Sequence, residues 1–115
     1  MSIVPAHAAA FFREVAESGV VYSGGFPAPV AAGGKRAMPF WSSESRALAV
    51  IRSVPAYSSF TPVAIEWSVF CQRWVPGLTS DSFLVGVNWS GASASGFDLE
   101  PSDVQNNVEV LRNGT

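Results

Sequence analysis

The residues that could carry acid–base or nucleophilic chemistry are few and lie far apart in the chain. His7 is the only histidine and Cys71 the only cysteine. A Ser-His-acid triad needs a histidine within hydrogen-bond reach of a nucleophile and of an orienting carboxylate, and no Gly-x-Ser-x-Gly motif marks a nucleophilic serine. We therefore expect His7 to be a surface or boundary residue of a helix, and the sequence predicts no catalytic residue. A small enzyme that uses serine, arginine and aspartate side chains alone is the alternative.

Metal and phosphate sites are not indicated either. A single cysteine forms neither an internal disulfide nor a cysteine cluster. Asp98, Glu100 and Asp103 lie close together, but capping and the dipole of a predicted helix account for them, with a hard-cation site as the alternative. Residues 33–36 (Gly-Gly-Lys-Arg) approach a P-loop, yet arginine stands where serine or threonine is required. The sequence therefore predicts no metal and no cofactor.

Aromatic residues beside small or polar ones are the feature that most favours a site. Tryptophan is rarely fully buried, and its N–H group seeks a partner. Binding pockets combine apolar walls with a few polar groups. Core and rim packing of these aromatic residues, Trp74 among them, is the favoured interpretation, and a groove with tryptophan walls is the functional alternative. The predicted binding residues are Phe40, Trp41, Ser42, Ser43, Arg46, Trp67, Asn88, Trp89 and Ser90.

Length and charge narrow the class of protein. The chain has 115 residues, which fits a single domain over residues 1–115. Seven basic and nine acidic residues give a net charge of −2, so the basic surface that is typical of a nucleic-acid-binding protein is missing. No apolar stretch approaches the length of a membrane span, about 18 residues, and no secretory leader is recognisable. We expect a cytosolic protein that binds neither nucleic acid nor a membrane.

The spacing of apolar residues, prolines and glycines predicts interleaved helices and strands. Helices are predicted over 5–18, 43–53, 67–75 and from Pro101 onward, and strands over 20–22, 36–41, 62–66, 83–89 and 97–99. The order is α-β-β-α-β-α-β-β-α. Because the connections are short, the sequence predicts an α+β fold, a single small mixed sheet with amphipathic helices packed on it.

Individual residues add detail to this scheme. Pro39 should place its strand at an edge or at an irregularity, because proline lacks a ladder donor. Pro76 and Gly77 should end the third helix. In the last helix, the apolar face is predicted to contain Val104, Val108 and Leu111.

The segment over residues 83–89 is the clearest strand, because apolar residues occupy every second position. This alternation places Trp89 on the same face as Phe83, Val85 and Val87, where it would close one end of the core. Asn88 would then lie on the opposite face, towards the predicted site. Its amide has both donors and an acceptor, so it can orient a ligand or cap a turn.

Three segments carry a resemblance to a known family. They are residues 24–29 (GGFPAP) with 34–46 (GKRAMPFWSSESR); residues 65–67 (IEW) with Phe70 and 74–78 (WVPGL); and residues 86–91 (GVNWSG) with 96–101 (GFDLEP). In order and spacing they resemble the bacterial family called domain of unknown function 2750, over nearly the whole chain. The resemblance implies a small bacterial cytosolic protein and transfers no activity, ligand or catalytic residue.

A weaker likeness is to the N-terminal domain of the enhanced-serine-sensitivity proteins. It is carried by a Pro-aromatic-Ser-Ser-Glu helix entry at 39–44, an apolar strand that ends in asparagine at 84–91, and a Leu-x-Pro helix entry at 99–104. The chain departs from that pattern where Trp89 follows Asn88 in place of proline. This likeness implies the same α+β layout.

Together these observations indicate a non-enzymatic binding or interaction module. Charged residues make up only 14% of the chain, and a surface of low charge that carries aromatic residues suits a partner site. The ligand would be an unidentified protein, peptide or small molecule. A structural homo-oligomer, in its simplest form a homodimer, is the alternative beside the small enzyme.

Overall fold

The computed structural model describes residues 5–24, 36–90 and 95–113. Within these ranges the helices are α1 (Ala6–Ser18), α2 (Glu44–Ser53), α3 (Trp67–Val69), α4 (Val75–Ser80) and α5 (Pro101–Asn113), with a 3₁₀ turn at Pro55–Tyr57 and a π-helical turn at Phe70–Trp74 that joins α3 to α4. The strands are β1 (Val20–Ser23), β2 (Arg36–Trp41), β3 (Val63–Glu66), β4 (Phe83–Ser90) and β5 (Ser95–Leu99). The predicted α+β order is confirmed. The predictions for the glycine-rich residues 25–35 and for the turn at 91–94 lie outside the described residues.

The described strands form one mixed sheet in the order β3-β1-β2-β4-β5. β2 and β4 are parallel, and the other neighbouring pairs are antiparallel. The carboxyl ends of β2 and β4 therefore lie side by side at one end of the sheet, and their amino ends lie side by side at the other.

Two apolar cores lie on the two faces of this sheet. The larger core packs α1, the helical segment from α3 to α4, and α5 against one face; its buried members are Ala8, Phe11, Phe12, Val15, Val21, Phe40, Ile65, Trp67, Phe70, Val75, Leu78, Val85, Val87, Val104 and Val108. The smaller core packs α2 against the other face, and its buried members are Ala37, Trp41, Ala47, Val50 and Trp89. The sheet is thus covered by helix on both faces.

Pro39 lies inside β2, which is the middle strand of the sheet. The described pairing of β2 with β1 reaches Phe40, opposite Ser23, and includes no residue before it. Pro39 therefore lies just beyond this paired stretch, where a missing N–H group breaks no described ladder bond to β1. Within the described residues, β2 pairs with β4 alone at Pro39, so the proline lies on a locally unpaired side of a strand that is central in the sheet.

The third helix does not end at Pro76 and Gly77, so that prediction is wrong. The chain continues as α4 to Ser80. A proline inside a helix lacks the N–H group, and its ring clashes with the carbonyl group four residues earlier. Here the π-helical turn comes directly before it, with the N–H of Val75 donating to the carbonyl oxygen of Phe70. This wider turn lets the helix continue past the proline.

Strand β4 carries a bulge at Asn88. The backbone of Asn88 has a φ of +50°, a left-handed conformation in which asparagine is several-fold enriched. The pairing of β4 with β5 shifts between Val87 and Ser90, as in a β-bulge. The shift turns Trp89 into the smaller core, whereas Val87 lies in the larger one. The prediction that Trp89 shares a face with the valines of β4 is therefore wrong, although its burial is as expected.

The indole of Trp89 lies over Gly86 and closes the smaller core. A Cβ atom at Gly86 would lie 2.3 Å from the indole nitrogen, so glycine is the residue that leaves room for the ring. The indole Nε1 of Trp89 donates to Oδ1 of Asp98 over 2.9 Å. The carbonyl oxygen of Trp89 in turn accepts from Nε1 of Trp41 over 2.9 Å. Both indoles thus satisfy their donors, as buried tryptophans usually do.

Helix ends follow the sequence signals closely. Gly19 ends α1 in the left-handed conformation, with a φ of +72°, and the side chain of Ser43 caps α2 by accepting from the N–H of Arg46 over 3.2 Å. The apolar face of α5 is shorter than predicted. Val104 and Val108 are buried as predicted, but Leu111 in the last turn is 52% exposed. None of the helices in the described ranges has the length and apolar character needed to span a membrane.

The burial of α5 gives a first test. Val108→Asp should lower the free energy of unfolding by about 3–5 kcal/mol, because it leaves an unpaired charge in the larger core. Val110→Asp is the matched control, since this side chain is 51% exposed on the same helix; it should change stability by less than about 0.5 kcal/mol. Equal melting temperatures for the two variants would show that the register of α5 is wrong.

The contact between Gly86 and Trp89 gives a second test. Gly86→Ala should destabilise the fold by about 1–3 kcal/mol, because the new methyl group overlaps a rigid indole. The same change made in a Trp89→Ala background should cost much less, since the overlap is gone. Chemical denaturation of the four proteins of this double-mutant cycle measures the coupling, and a coupling near zero would place the indole elsewhere.

Candidate functional site

Polar side chains meet at the carboxyl ends of the parallel strands β2 and β4. We call Glu14, Ser42, Arg46 and Asn88 the polar cluster. Ser42 directly follows β2, Asn88 lies near the end of β4, and Glu14 and Arg46 come from α1 and α2. In open sheets, ligands often bind outside the carboxyl ends of parallel strands. The polar cluster therefore lies where a ligand site is usually found in such a sheet.

An ion pair joins the two helical layers around this end of the sheet. The guanidinium of Arg46 donates to both carboxylate oxygens of Glu14, from Nε over 3.0 Å and from Nη2 over 2.9 Å. This two-pronged geometry is the stronger kind of charge-assisted pairing. The hydrogen bond from Arg46 holds the pKa of Glu14 below its ordinary value, against the effect of burial, and the same bond raises the pKa of Arg46.

Ser42 and Asn88 continue this network into the interior. The hydroxyl of Ser42 donates to Oε1 of Glu14 over 2.5 Å. The side-chain oxygen of Asn88 accepts from the backbone N–H of Ser42 over 2.9 Å, and its amide nitrogen donates to the Ser42 hydroxyl over 3.0 Å and to the carbonyl oxygen of His7 over 3.1 Å. Asn88 therefore ties β4 to the end of β2 and to the first turn of α1.

The polar cluster is arranged to hold the structure together and not to attack a substrate. Ser42 is 4% exposed, and its single proton is already donated to a carboxylate. The pKa of that carboxylate is lowered by Arg46, so it is a weak base for activating a serine. Asn88 is 2% exposed and uses both its donors and its acceptor within the protein. The polar side-chain atoms of Ser42 and Asn88 are therefore engaged within the protein and are not presented to a ligand.

The structure brings only part of the predicted binding residues together. Ser42, Arg46 and Asn88 meet in the polar cluster, next to Ser43 at the start of α2. Trp41 and Trp89 are buried in the smaller core, while Phe40 and Trp67 are buried in the larger one. Ser90 is exposed at the end of β4. These four aromatic residues therefore pack inside the protein and do not form the walls of an open groove.

Two partners of these residues had no recognisable signal in the sequence. Glu14 is 28 positions from Ser42 and 32 from Arg46, and its place on α1 is typical of an ordinary exposed helix residue. Asp98 accepts from the indole of Trp89, whereas its position before a helix indicated capping. Contacts over such separations depend on how the layers pack.

An open pocket lies at the opposite end of the same strands. It has a volume of about 230 Å³, and we call it the Trp74 pocket. Its lining comes from the amino-terminal halves of β2 and β4, from the π-helical turn, from α4 and from the residue directly after α4: Met38, Arg73, Trp74, Gly77, Leu78, Asp81 and Phe83. The ring of Trp74 packs edge to face against Phe40, with centroids 5.5 Å apart, so this wall rests on the larger core. π-helical turns occur frequently at functional sites.

Gly77 forms a notch in the helical wall of this pocket. Arg73, Gly77 and Asp81 follow each other at intervals of four residues, so they lie along one side of the helical segment. A Cβ atom built on Gly77 would meet no atom within 4 Å. The missing side chain therefore contributes to the open volume of the pocket.

Arg73 and Asp81 bring opposite charges to the rim. Both side chains are exposed, and neither makes an ion pair or a side-chain hydrogen bond within the described ranges. The walls between them are apolar, from Met38, Trp74 and Leu78. Apolar walls with a few polar groups at the mouth are the usual composition of a small-molecule site.

The side chains of Cys71 and His7 belong neither to the polar cluster nor to the lining of the Trp74 pocket. Burial, with Glu109 close by, raises the pKa of the Cys71 thiol to about 11, which makes the nucleophilic thiolate scarce near neutral pH. Nε2 of His7 is buried, and no described nucleophile or carboxylate lies within hydrogen-bond distance of it. The part of the chain that the structure describes contains no group of three histidine, cysteine or carboxylate side chains able to hold a metal ion.

Comparison with known proteins gives one match. A family model described as "Protein of unknown function (DUF2750)" matches residues 8–108, a range that includes the polar cluster and the Trp74 pocket. No curated protein and no solved structure matches the chain significantly. The family resemblance found in the sequence is confirmed, and the likeness to the enhanced-serine-sensitivity proteins stays a prediction.

The ion pair predicts how stability changes with pH. Because the folded-state pKa of Glu14 lies below its ordinary value of 4.5, the pair stabilises the fold above that pH, and the contribution is lost as the pH falls through the lowered pKa. Glu14→Gln removes this contribution. The gap in melting temperature between wild type and Glu14→Gln should therefore be largest near about pH 6 and shrink towards about pH 3.

Glu17→Gln is the matched control for this experiment, because Glu17 is exposed on the same helix and has no ion pair among the described residues. Its melting temperature should follow that of the wild type across the same pH series. A gap for Glu14→Gln that stays constant with pH would show that the Arg46 contact does not hold in solution.

Proposed function

The chain belongs to the family of proteins of unknown function DUF2750, and we propose that it is a non-enzymatic binding module that holds a small ligand in the Trp74 pocket. The observation that carries the proposal is the pocket itself, with apolar walls and, at its rim, two charges of opposite sign that are unpaired in the described part of the chain. Its volume of about 230 Å³ is a little below the range of about 300–1,000 Å³ for drug-sized ligands. The ligand is therefore small.

The arrangement of the helical wall supports this proposal. Leu78 is buried in the larger core and Trp74 packs against that core, so the wall is anchored on its inner side. On the pocket side of this helical wall, Gly77 lies in the middle of the exposed row formed by Arg73, Gly77 and Asp81. A helix shaped only by packing would gain from alanine at such a position, because glycine costs about 1 kcal/mol within a helix. The notch is consistent with a site kept open for a ligand.

A binding role accords better with the polar cluster than catalysis does. The serine and arginine that a Ser/Arg/Asp enzyme would use are Ser42 and Arg46, and both are engaged in internal hydrogen bonds. The homo-oligomer alternative stays a prediction that light scattering tests directly. The expected cytosolic location is part of this proposal, and the single free thiol of Cys71 accords with a reducing compartment.

Blocking the notch tests the proposed site. Gly77→Leu puts a side chain into open space, so the fold should keep its stability while the pocket is filled. We expect indole, phenol and isobutanol, used as probes of the apolar walls, to shift the amide NMR signals of Met38, Trp74 and Leu78 in the wild type but not in Gly77→Leu. At about 0.3–0.5 kcal/mol for each non-hydrogen atom, the affinity for indole falls in the millimolar range.

Gln72→Leu is the matched control, because it adds the same side chain at an exposed position of the same helical segment that does not line the pocket. It should bind the three probes as the wild type does. The proposal fails if none of the probes binds the wild type, or if Gly77→Leu is correctly folded and still binds them at the same residues.

A further inference from the structure

We infer that the ligand of the Trp74 pocket is a zwitterion with one hydrophobic group, which is the chemical class of a free amino acid such as phenylalanine, leucine or methionine. This inference rests on the proposed function and narrows it to a ligand class. It follows from the charges at the rim, the distance that separates them and the composition of the walls between them.

The rim charges favour a ligand with one charge of each sign. Arg73 and Asp81 are unpaired within the described residues and flank apolar walls. A ligand that covers these walls removes water from both charged groups. A neutral ligand leaves both without a replacement partner, and a ligand with a single charge leaves one of them so. A carboxylate towards Arg73 and an ammonium towards Asp81 restore both interactions with charge-assisted hydrogen bonds.

The spacing of Arg73 and Asp81 limits the size of the part of the ligand that carries the two charges. They are eight positions apart, with Arg73 in the π-helical turn and Asp81 directly after α4, which places their Cα atoms roughly 10–12 Å from each other. Helical side chains point outward from the axis, so the two charged groups lie at a similar separation, which the long arginine side chain can shorten. A charge-assisted hydrogen bond of about 2.8 Å at each end, added to the roughly 3 Å between the carboxylate and the ammonium group of an α-amino acid, spans about 8–9 Å. An α-amino acid therefore fits between the two rim charges.

The walls select the rest of the ligand. Met38, Trp74, Leu78 and Phe83 offer a thioether, two aromatic rings and a branched aliphatic group. An aromatic or branched aliphatic side chain gains from contact with them, including sulfur–aromatic contact with Met38. Sugars and nucleotides are disfavoured, because their hydroxyl groups or base edges would lie against apolar walls without hydrogen-bond partners. A nucleotide is also too large for a pocket of about 230 Å³.

The test compares three molecules that share one aromatic group and differ in charge. L-Phenylalanine carries both charges, 3-phenylpropionate lacks the ammonium group, and phenethylamine lacks the carboxylate. In NMR titrations we expect L-phenylalanine to bind about tenfold more tightly than either single-charge analogue, the gain typical of one hydrogen bond to a charged group. Gly77→Leu should abolish binding of all three molecules.

Two conservative variants assign each charge to its partner. Arg73→Gln should weaken the binding of L-phenylalanine and of 3-phenylpropionate about tenfold and leave phenethylamine unchanged. Asp81→Asn should weaken L-phenylalanine and phenethylamine and leave 3-phenylpropionate unchanged. Both residues are exposed, so neither change endangers folding, and the unaffected analogue serves as the internal control in each case.

The outcomes separate this inference from the proposed function. If indole binds in the pocket but L-phenylalanine binds no more tightly than its single-charge analogues, the zwitterion inference is overturned and the binding module stands. The inference is also overturned if neither rim variant changes the affinity for L-phenylalanine. If neither indole nor the other two neutral probes bind the wild type, the proposed function and this inference both fall.

Discussion

The bulge at Asn88 is the constraint on which the rest of the structure depends. Its left-handed backbone turns Trp89 from the larger core to the smaller one, so a single residue decides how both faces of β4 are filled. Its buried amide then joins the end of β2 and the first turn of α1. An unpaired buried amide costs about 1–3 kcal/mol for each lost partner. Asparagine meets both demands, since it tolerates positive φ and offers two donors and an acceptor.

The polar cluster and the Trp74 pocket lie at opposite ends of the parallel strands β2 and β4. At the carboxyl ends, Glu14 and Arg46 pair with each other across the end of the sheet and so satisfy each other's charge. At the amino ends, the rim charges of the pocket have no partner among the described residues, and its walls are open. The usual expectation for parallel strands is a site at their carboxyl ends. Here the internal pairing of the polar groups at that end argues for the opposite one.

Local sequence signals predicted what depends on neighbouring residues and missed what depends on packing. Gly19 after α1, Ser43 before α2 and Pro101 at the start of α5 act as their types indicate, because a cap involves only one turn of helix. The face of Trp89 was not predictable by alternation, since one residue in left-handed conformation reverses the pattern beyond it. The tryptophans look like site residues by type, yet Trp41 and Trp89 obtain hydrogen-bond partners inside the core. The partnership of Glu14 with Arg46 spans 32 positions and depends on how α1 and α2 meet at the end of the sheet.

Pro76 and Gly77 show why the sequence did not predict the Trp74 pocket. Together they are a typical helix stop, and a helix with weaker packing would end there. In this protein Val75 and Leu78 are both buried in the larger core, and the gain from burying two such side chains, about 3–6 kcal/mol, offsets the cost of a proline in a helix, about 3 kcal/mol. The helix therefore continues, and the strain is taken up by the π-helical turn that carries Arg73 and Trp74. The residues that would end a helix by local rules thus shape both the wall and the notch of the pocket.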